Sequence, residues 1–343
     1  MHSKLYNAFA AIRRATLAGA AVAVLAPALA DNAAAQVVIK FGNQTQNDVQ
    51  HEFMKLYKER LEKASGGKIR VDLFPASQLG PFPRQVEGLR LGNIQILTGP
   101  FEFYVGIDPR FQTTAMAGLF ESNEQMRRVA DNPKFRKILE DIGDKKGVRV
   151  AAFIVYDMQS FGFKAPAKSL ADFKGRRVRV LASEAEQAAV QSLGAASIPM
   201  PLPEVLPALQ QGTIDGVTSG LSIFTSLRYY DASPYVVETK LWGIMTGVLV
   251  SKAWLSKQTP EIQKLVVDTA KSIEPENNAW NVKNLENARK IWLKNGGSFV
   301  NLSDAEQAQA RKLTTEATQK VLSRYPQVKA VYDQFRTIIA ETK

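Results

Sequence analysis

Arg177 and Arg179 are the side chains whose type and spacing most clearly suggest chemistry. Both lie in the stretch Leu170–Val180, LADFKGRRVRV. Asp172, Lys174 and Gly175 predict a turn, and the alternation Arg177, Val178, Arg179, Val180 has the period of a half-buried strand. That period puts the two arginines on one face and the valines on the other. An arginine on a strand presents its planar fork in a fixed direction, and the fork matches a carboxylate with two parallel, charge-assisted hydrogen bonds. The competing reading is that both arginines are solvated or paired with acids of their own domain.

Other routes to chemistry are thin. The chain has no cysteine, which excludes disulfides, thiol nucleophiles and thiolate metal sites. Of its two histidines, His2 belongs to an export signal and His51 stands alone, so multi-histidine zinc sites are excluded and a Ser-His-Asp triad has little support. A carboxylate pair such as Asp157 and Glu184 is the remaining route to a secreted hydrolase or lyase. Two polar or aromatic clusters follow strand-like segments, where ligands sit in open α/β sheets. One is the amide loop Asn43-Gln44-Thr45-Gln46-Asn47; the other is Phe101, Phe103 and Tyr104, which could line a ligand pocket or fill the core.

The elements that must position these residues begin after an N-terminal signal. Lys4, Arg13 and Arg14 precede the uncharged run Leu17–Leu29, and Ala28-Leu29-Ala30 offers a cleavage site, with Ala33–Ala35 as a second. Residues 1–30, or as far as 35, are therefore expected to be removed on export. The net charge of +11 is spread along the chain, which favours anions in general over nucleic acid. Val37–Gly42 and Lys68–Phe74 read as strands flanking a helix capped by Asp48 and ended by Gly66-Gly67, a parallel βαβ unit. A helix over Arg84–Leu91, a strand at Ile94–Leu97, a helix from Asn123 to about Asn132 and another through Phe135–Ile142 follow. Val148–Tyr156 is an apolar strand of the kind buried on both faces. After Arg179 the pattern restarts, with a helix at Glu184–Leu193, a strand at Ala196–Met200 and a helix at Pro203–Gln211. A long helix is expected from Thr259-Pro260 to about Lys294, kinked at Pro275, and an amphipathic one over Ser303–Leu322. Two half-chains of similar organisation predict two α/β lobes with a cleft between them.

Several collinear motifs resemble the solute-binding proteins of tripartite ATP-independent periplasmic (TRAP) transporters, the DctP type. They are Gly67-Lys68-Ile69 with Pro75-Ala76-Ser77-Gln78-Leu79-Gly80, Leu91-Gly92-Asn93-Ile94-Gln95, Ala117–Phe120, Asp172-Phe173-Lys174-Gly175 through Arg179, and Leu209–Gly216. The chain departs from the pattern at Gln95, where an acid is usual, and at Gly118, where tyrosine is common. Gln159 aligns with a second arginine of many members, and Ser219 with a common asparagine.

The resemblance implies a two-lobed, periplasmic-binding-protein-like α/β fold of type II kind, with hinge strands and a long helix spanning both lobes. The expected division is residues 36–156 with 244–284 for one lobe, and 157–243 with 285–343 for the other. It further implies a monomeric periplasmic receptor without enzymatic activity or cofactor. Such a receptor closes on a small organic acid and hands it to TRAP membrane subunits, with no metal and no nucleic acid involved. An ABC-type receptor is the alternative of the same architecture. The family's carboxylate-binding arginine falls on Arg179. Gln159, Asn43, Gln44 and Ser219 are the expected polar partners, and Phe101, Phe103, Tyr104 and Trp242 the apolar cover. Because a neutral amide stands at 159, a monocarboxylate carrying a 2-oxo or hydroxy group is expected over C4-dicarboxylates.

Overall fold

Val37–Gly42 (β1), Val49–Ala64 (α1) and Ile69–Phe74 (β2) form the parallel βαβ unit that the residue pattern predicts, with β1 and β2 in register from Val37↔Ile69 to Gly42↔Phe74. The computed structural model describes residues 36–181 and 183–342; the expected export signal lies outside the described residues. Asp48 caps α1 by accepting the His51 backbone N–H at 2.9 Å, satisfying one of the donors that a helix start leaves free. The apolar positions of α1 then fall on one stripe, burying Phe53, Tyr57 and Leu61, and the Tyr57 ring meets Phe41 of β1 edge-on at 5.5 Å. Phe82–Leu91 (α2) ends at Gly92, whose φ of 84° is the left-handed conformation that favours glycine. Ile96–Pro100 (β3) pairs with β1 in parallel. It starts later than the apolar run suggests. Gln95 accepts Lys40 N–H through Oε1 and donates to the Gly92 carbonyl through Nε2, both at 2.8 Å. An amide can do both, which an acid at this position could not.

Asn123–Asp131 (α3) is capped by Ser122 rather than by Asn123. Pro133–Lys145 (α4) leads to Val148–Met158 (β4), which is buried almost throughout. The chain then turns through Gln159 into Ser160–Phe163 (β5), a strand of a second sheet. That sheet collects Arg177–Val180 (β6), then Glu184–Ser192 (α5) and Ala196–Pro199 (β7), and then Leu202–Gln211 (α6), Gly216–Ser219 (β8) and Leu221–Ser226 (α7). Tyr235–Val237 (β9) closes this stretch, and Gly243–Ser251 (β10) returns to the first sheet. Lys252–Leu255 (α8), Pro260–Lys294 (α9), Ser298–Val300 (β11), Asp304–Arg324 (α10) and Pro326–Glu341 (α11) complete the order. The first sheet runs β2-β1-β3-β10-β4 and the second β11-β9-β5-β8-β6-β7. The two crossings lie side by side: Met158 pairs with Gly243, and Gln159 N–H donates to Trp242 O at 2.9 Å.

The helix α9 continues through Pro275, where a kink was expected. As far as Asn281 it is tied to the first sheet's side: Tyr57 Oη donates to Val266 O at 3.1 Å, and Asn281 Nδ2 donates to the carbonyls of Val155 and Tyr156. Its last turns reach the other sheet's helices, where Thr225 Oγ1 donates to Ala288 O at 3.2 Å and Trp292 packs on Phe224. Burial of an aromatic of this size stabilises by about 1.5–3 kcal/mol. The capping box of Ser303 and Glu306 starts α10, which packs on α5, whereas α11 packs on α4.

Candidate functional site

A small cavity opens where the carboxyl ends of the two sheets' strands face each other. Gln44, Thr45, Gln50, Phe103, Tyr156 and Ile244 reach it from elements of the first sheet. Arg179, Leu181, Leu202, Ser219 and Ile223 reach it from the second. Among the described residues that line it, Arg179 is the sole cation.

Arg179 leaves β6 on the face opposite Val178 and Val180 and is 2% exposed. Its Nε donates to the Met200 carbonyl at 3.0 Å, and Nη1 makes a long contact of 3.5 Å with the Thr218 carbonyl. Neither partner is a carboxylate, so the end of the fork is not closed by a bidentate ion pair. Burial pulls the guanidinium pKa down, opposed by the nearby Tyr229, Glu186 and Glu102. Arg177, on the same face of β6, goes elsewhere. Its Nε and Nη2 bind Asp215 at 2.9 and 2.7 Å, and its Nη2 also donates to Gly212 O. The second glycine motif thus supplies a partner for Arg177, at an exposed edge. Lys164 is likewise engaged, with Nζ donating to Leu209 O at 2.9 Å.

The polar wall opposite is built by the loop after β1. The turn after β2 holds it from outside: Ser77 N–H donates to Asn43 O at 3.0 Å and Ala76 N–H to Thr45 O at 3.1 Å. Ala76 and Ser77 take φ values of 53° and 60° to do so, a left-handed conformation that costs a non-glycine residue about 1–2 kcal/mol. The Pro75–Gly80 motif is therefore a clamp on the cavity loop. Inside the loop, Thr45 Oγ1 accepts from Asn43 Nδ2 at 3.1 Å and from Gln50 Nε2 at 3.2 Å. Tyr156 Oη donates to Asp48 Oδ2 at 2.9 Å. Burial raises the Asp48 pKa against the hydrogen bonds of Thr45, His51 and Tyr156. Gln50 Oε1 is buried without a protein hydrogen-bond partner, an acceptor facing the cavity region. The first-turn residues Gln50 of α1 and Leu202 of α6 both line the cavity, and helix N-termini carry partial positive charge.

The structure brings together Arg179, Gln44, Ser219 and Phe103 from the residues expected to bind ligand, and it places the others behind them. Asn43 is fully buried and directs its amide nitrogen to Thr45, so it shapes the loop. Gln159 is fully buried too, with Nε2 on Glu186 Oε1 at 3.3 Å. Phe101 and Tyr104 point into the core: Phe101 stacks on Phe111 at 5.7 Å, and Tyr104 Oη donates to Leu97 O at 3.2 Å. The short helical turn Phe101–Tyr104 explains the split, since it sends neighbouring aromatics to different sides and leaves Phe103 at the cavity. Trp242 packs edge-on against Phe161 at 6.0 Å in the second sheet's core. The carboxylate pair Asp157 and Glu184 does not form. Asp157 accepts from Asn123 Nδ2, Met158 N and Leu221 N, while Glu184 pairs with Arg324. Gly220 makes the Asp157 contact possible, because a Cβ there would lie 2.9 Å from Asp157 Cβ. His51 accepts Asn47 N–H through Nδ1 and so serves the loop. Sequence reasoning did not single out Gln50, Tyr156, Leu181, Leu202, Ile223 or Ile244. Only the first-turn positions of Gln50 and Leu202 carried a usable signal.

Comparison with known proteins agrees with this architecture. Residues 41–324 match the family described as bacterial extracellular solute-binding protein, family 7 (DctP). An uncharacterised protein of Salmonella typhimurium, YiiZ, is 31% identical over 240 residues, 69% of this chain and 72% of that one. The 2,3-diketo-L-gulonate-binding periplasmic protein YiaO of Escherichia coli is 28% identical over 68% of this chain and 71% of its own. Among solved structures, a TRAP periplasmic solute-binding protein of Desulfovibrio salexigens with bound orotic acid superposes with a TM-score of 0.84 at 22% identity, covering 89% of this chain and 99% of that chain. One from Haemophilus influenzae with bound L-gulonate gives 0.83 at 21%, covering 88% and 99%. The chain belongs to the DctP family of bacterial extracellular solute-binding proteins.

Proposed function

We propose that this receptor works in the periplasm after removal of its N-terminal signal, closes on a small organic acid and delivers it to a TRAP membrane permease. The observation that carries the reading is Arg179, a buried guanidinium lining the cavity with no carboxylate closing its fork. A carboxylate bound there, away from water, interacts more strongly than it would in solution. Closure is driven by the ligand's higher affinity for the closed arrangement.

The rest of the lining supports one carboxylate and one or more neutral oxygens. Gln44, Thr45, Gln50, Tyr156 and Ser219 are uncharged, and the Gln50 Oε1 acceptor suits a ligand hydroxyl. A second carboxylate would be desolvated there without a cation, at a cost of several kcal/mol. Phe103, Leu181 and Ile223 would cover the carbon skeleton. Related structures hold acids of both kinds, β-D-galacturonate and L-gulonate with one carboxylate, succinate and L-malate with two.

Thermal-shift titration of the mature chain with D-galacturonate, L-gulonate, orotate, succinate and L-malate tests the reading. The expected result is a rise in melting temperature with a monocarboxylate and little with succinate or L-malate. A clear preference for the dicarboxylates overturns the ligand class, and no shift with any of the five overturns the anion site.

A further inference from the structure

Behind Arg179 the two sheets bring a pair of carboxyls together. Glu102 lies in the turn after β3, belonging to the first sheet, and is 1% exposed. Ser183, the N-cap of α5 in the second sheet's half, donates its Oγ–H to Glu102 Oε2 at 2.8 Å. The same Ser183 Oγ accepts the Glu186 backbone N–H at 3.2 Å. Glu186 is fully buried and its carboxylate is well supplied with donors: Leu181 N–H at 2.8 Å on Oε2, and Thr218 Oγ1 and Gln159 Nε2 on Oε1. The charged and titratable groups that face this pair are Arg179 of β6 and, through Arg179, Tyr229. Other charges on neighbouring elements are engaged elsewhere, Arg110 with Asp108 and Arg324 with Glu184.

One guanidinium is therefore the cation nearest to two buried carboxyls, acting on them through its charge and not through an ion pair, before a ligand arrives. A ligand carboxylate would make three anions around a single cation, and buried charge without a partner is costly. Protonation is the ordinary relief. The donor sets say which carboxyl takes the proton. Among the described residues Glu186 receives three hydrogen bonds, as a carboxylate does, whereas Glu102 has one neutral hydroxyl. Ser183 Oγ has two lone pairs, so it can keep the Glu186 N–H and still accept an O–H from Glu102.

We propose that Glu102 is a specificity-determining residue held as a neutral acid, and that above the pH at which it ionises in the free protein, capture of an anion at Arg179 returns the proton to it. Burial, and then the charge of Glu186, push the Glu102 carboxyl up, with Ser183 and Arg179 acting against them. The proton at Glu102 makes the site tolerant of one ligand negative charge and adds a penalty for a second. The ligand half of the proposal rests on the anion-site reading, and the proton half does not.

Infrared spectra of the mature chain, followed across neutral pH, test the proton half without ligand. The expected result is a protonated-carboxyl C=O band that persists at neutral pH in the wild type, is absent in Glu102→Gln, and disappears at a lower pH than in the native protein for the Glu102→Asp variant. A band unchanged in Glu102→Gln overturns the proposal, as does its loss in Glu186→Gln alone. Calorimetry with the acid that gives the largest thermal shift among the five above, in phosphate and in Tris, tests the ligand half. At a pH above the one at which the infrared band disappears, the binding enthalpy should depend on the buffer in the wild type and not in Glu102→Gln, and over that range the wild-type affinity should fall with rising alkalinity towards about tenfold per pH unit. Buffer-independent enthalpy in the wild type overturns the linkage. If none of the five acids binds, the anion-site reading fails while the infrared band still decides the state of Glu102.

Discussion

Two buried arginines of this protein have the same guanidinium and opposite surroundings. Arg136 of α4 closes its fork on Glu274 of α9, with both contacts at 2.8 Å, donates to Ala130 O and lies over the Phe153 ring at 4.3 Å. Glu274 also accepts Phe153 N–H at 2.9 Å, so the pair fastens α4, β4 and α9 together. Arg179 is as deeply buried, yet its hydrogen-bond partners are two backbone carbonyls and its fork faces a cavity. A buried guanidinium whose fork is matched by a carboxylate of its own chain belongs to the architecture. One whose fork is left open is free to take a carboxylate from outside, the role proposed above for Arg179.

Breaking the matched pair should have the largest effect. Removing one partner of a buried ion pair costs about 3–5 kcal/mol, so Arg136→Ala should lower stability by that amount in denaturant unfolding. The affinity of the fraction that remains folded should be unchanged. Arg179→Ala should cost less stability than Arg136→Ala, because no ion pair is broken, and weaken binding of the acid by about 2–5 kcal/mol, or roughly thirtyfold to several thousandfold. Arg179→Lys should also bind poorly, because a point charge does not reproduce the bidentate fork. Calorimetric affinity equal to wild type in either Arg179 variant would remove the residue from the site.

A third contrast sharpens the comparison through pH. Asp157 sits at the crossing between the sheets, accepting from Asn123, Met158 and Leu221, and burial pushes its carboxyl up to about 6. A raised carboxyl binds its proton more tightly folded than unfolded. Its contribution is therefore complete below the unfolded pKa near 4 and is lost as pH rises towards 6, on the order of 2–3 kcal/mol. The melting temperature of the wild type should fall more steeply than that of Asp157→Asn over this interval; parallel profiles would show that Asp157 stays ionised. The smallest effect belongs to Arg177. Its exposed pair with Asp215 is of the kind that solvent screens, so Arg177→Ala should leave affinity unchanged and move the melting temperature only slightly. A measurable loss of affinity would mean that the two arginines of β6 act together after all.

Much of the fold was legible because its signals are local. The apolar run ending at Gly42, the alternation in Lys68–Phe74, the cap Asp48 and the glycines after α2, α5 and α6 each determine an element within a few residues. The helix α11 and the short strand β9 escaped notice, the latter because three residues carry too little periodicity. Of the site, Arg179 and the amide loop were legible, and the aromatic cluster was half so. Phe101, Phe103 and Tyr104 are equivalent in composition. Their fates differ because a tight helical turn rotates successive side chains to different neighbours, which no alternation rule encodes.

The sequence by itself determined two α/β half-chains, only two histidines, no cysteine and two arginines in strand alternation, and with them a receptor rather than an enzyme as the stronger reading. Only the tertiary structure decided which arginine is open. Strand period places Arg177 and Arg179 on one face, but whether a fork is matched depends on residues far along the chain: Asp215 comes to meet Arg177, while Thr218 and Met200 offer Arg179 only carbonyls. The approach of Glu102 to Ser183 and Glu186 is of the same kind, joining residues 81 positions apart across two sheets. Such contacts arise from the packing of whole elements, so their chemistry becomes visible only once the chain is folded.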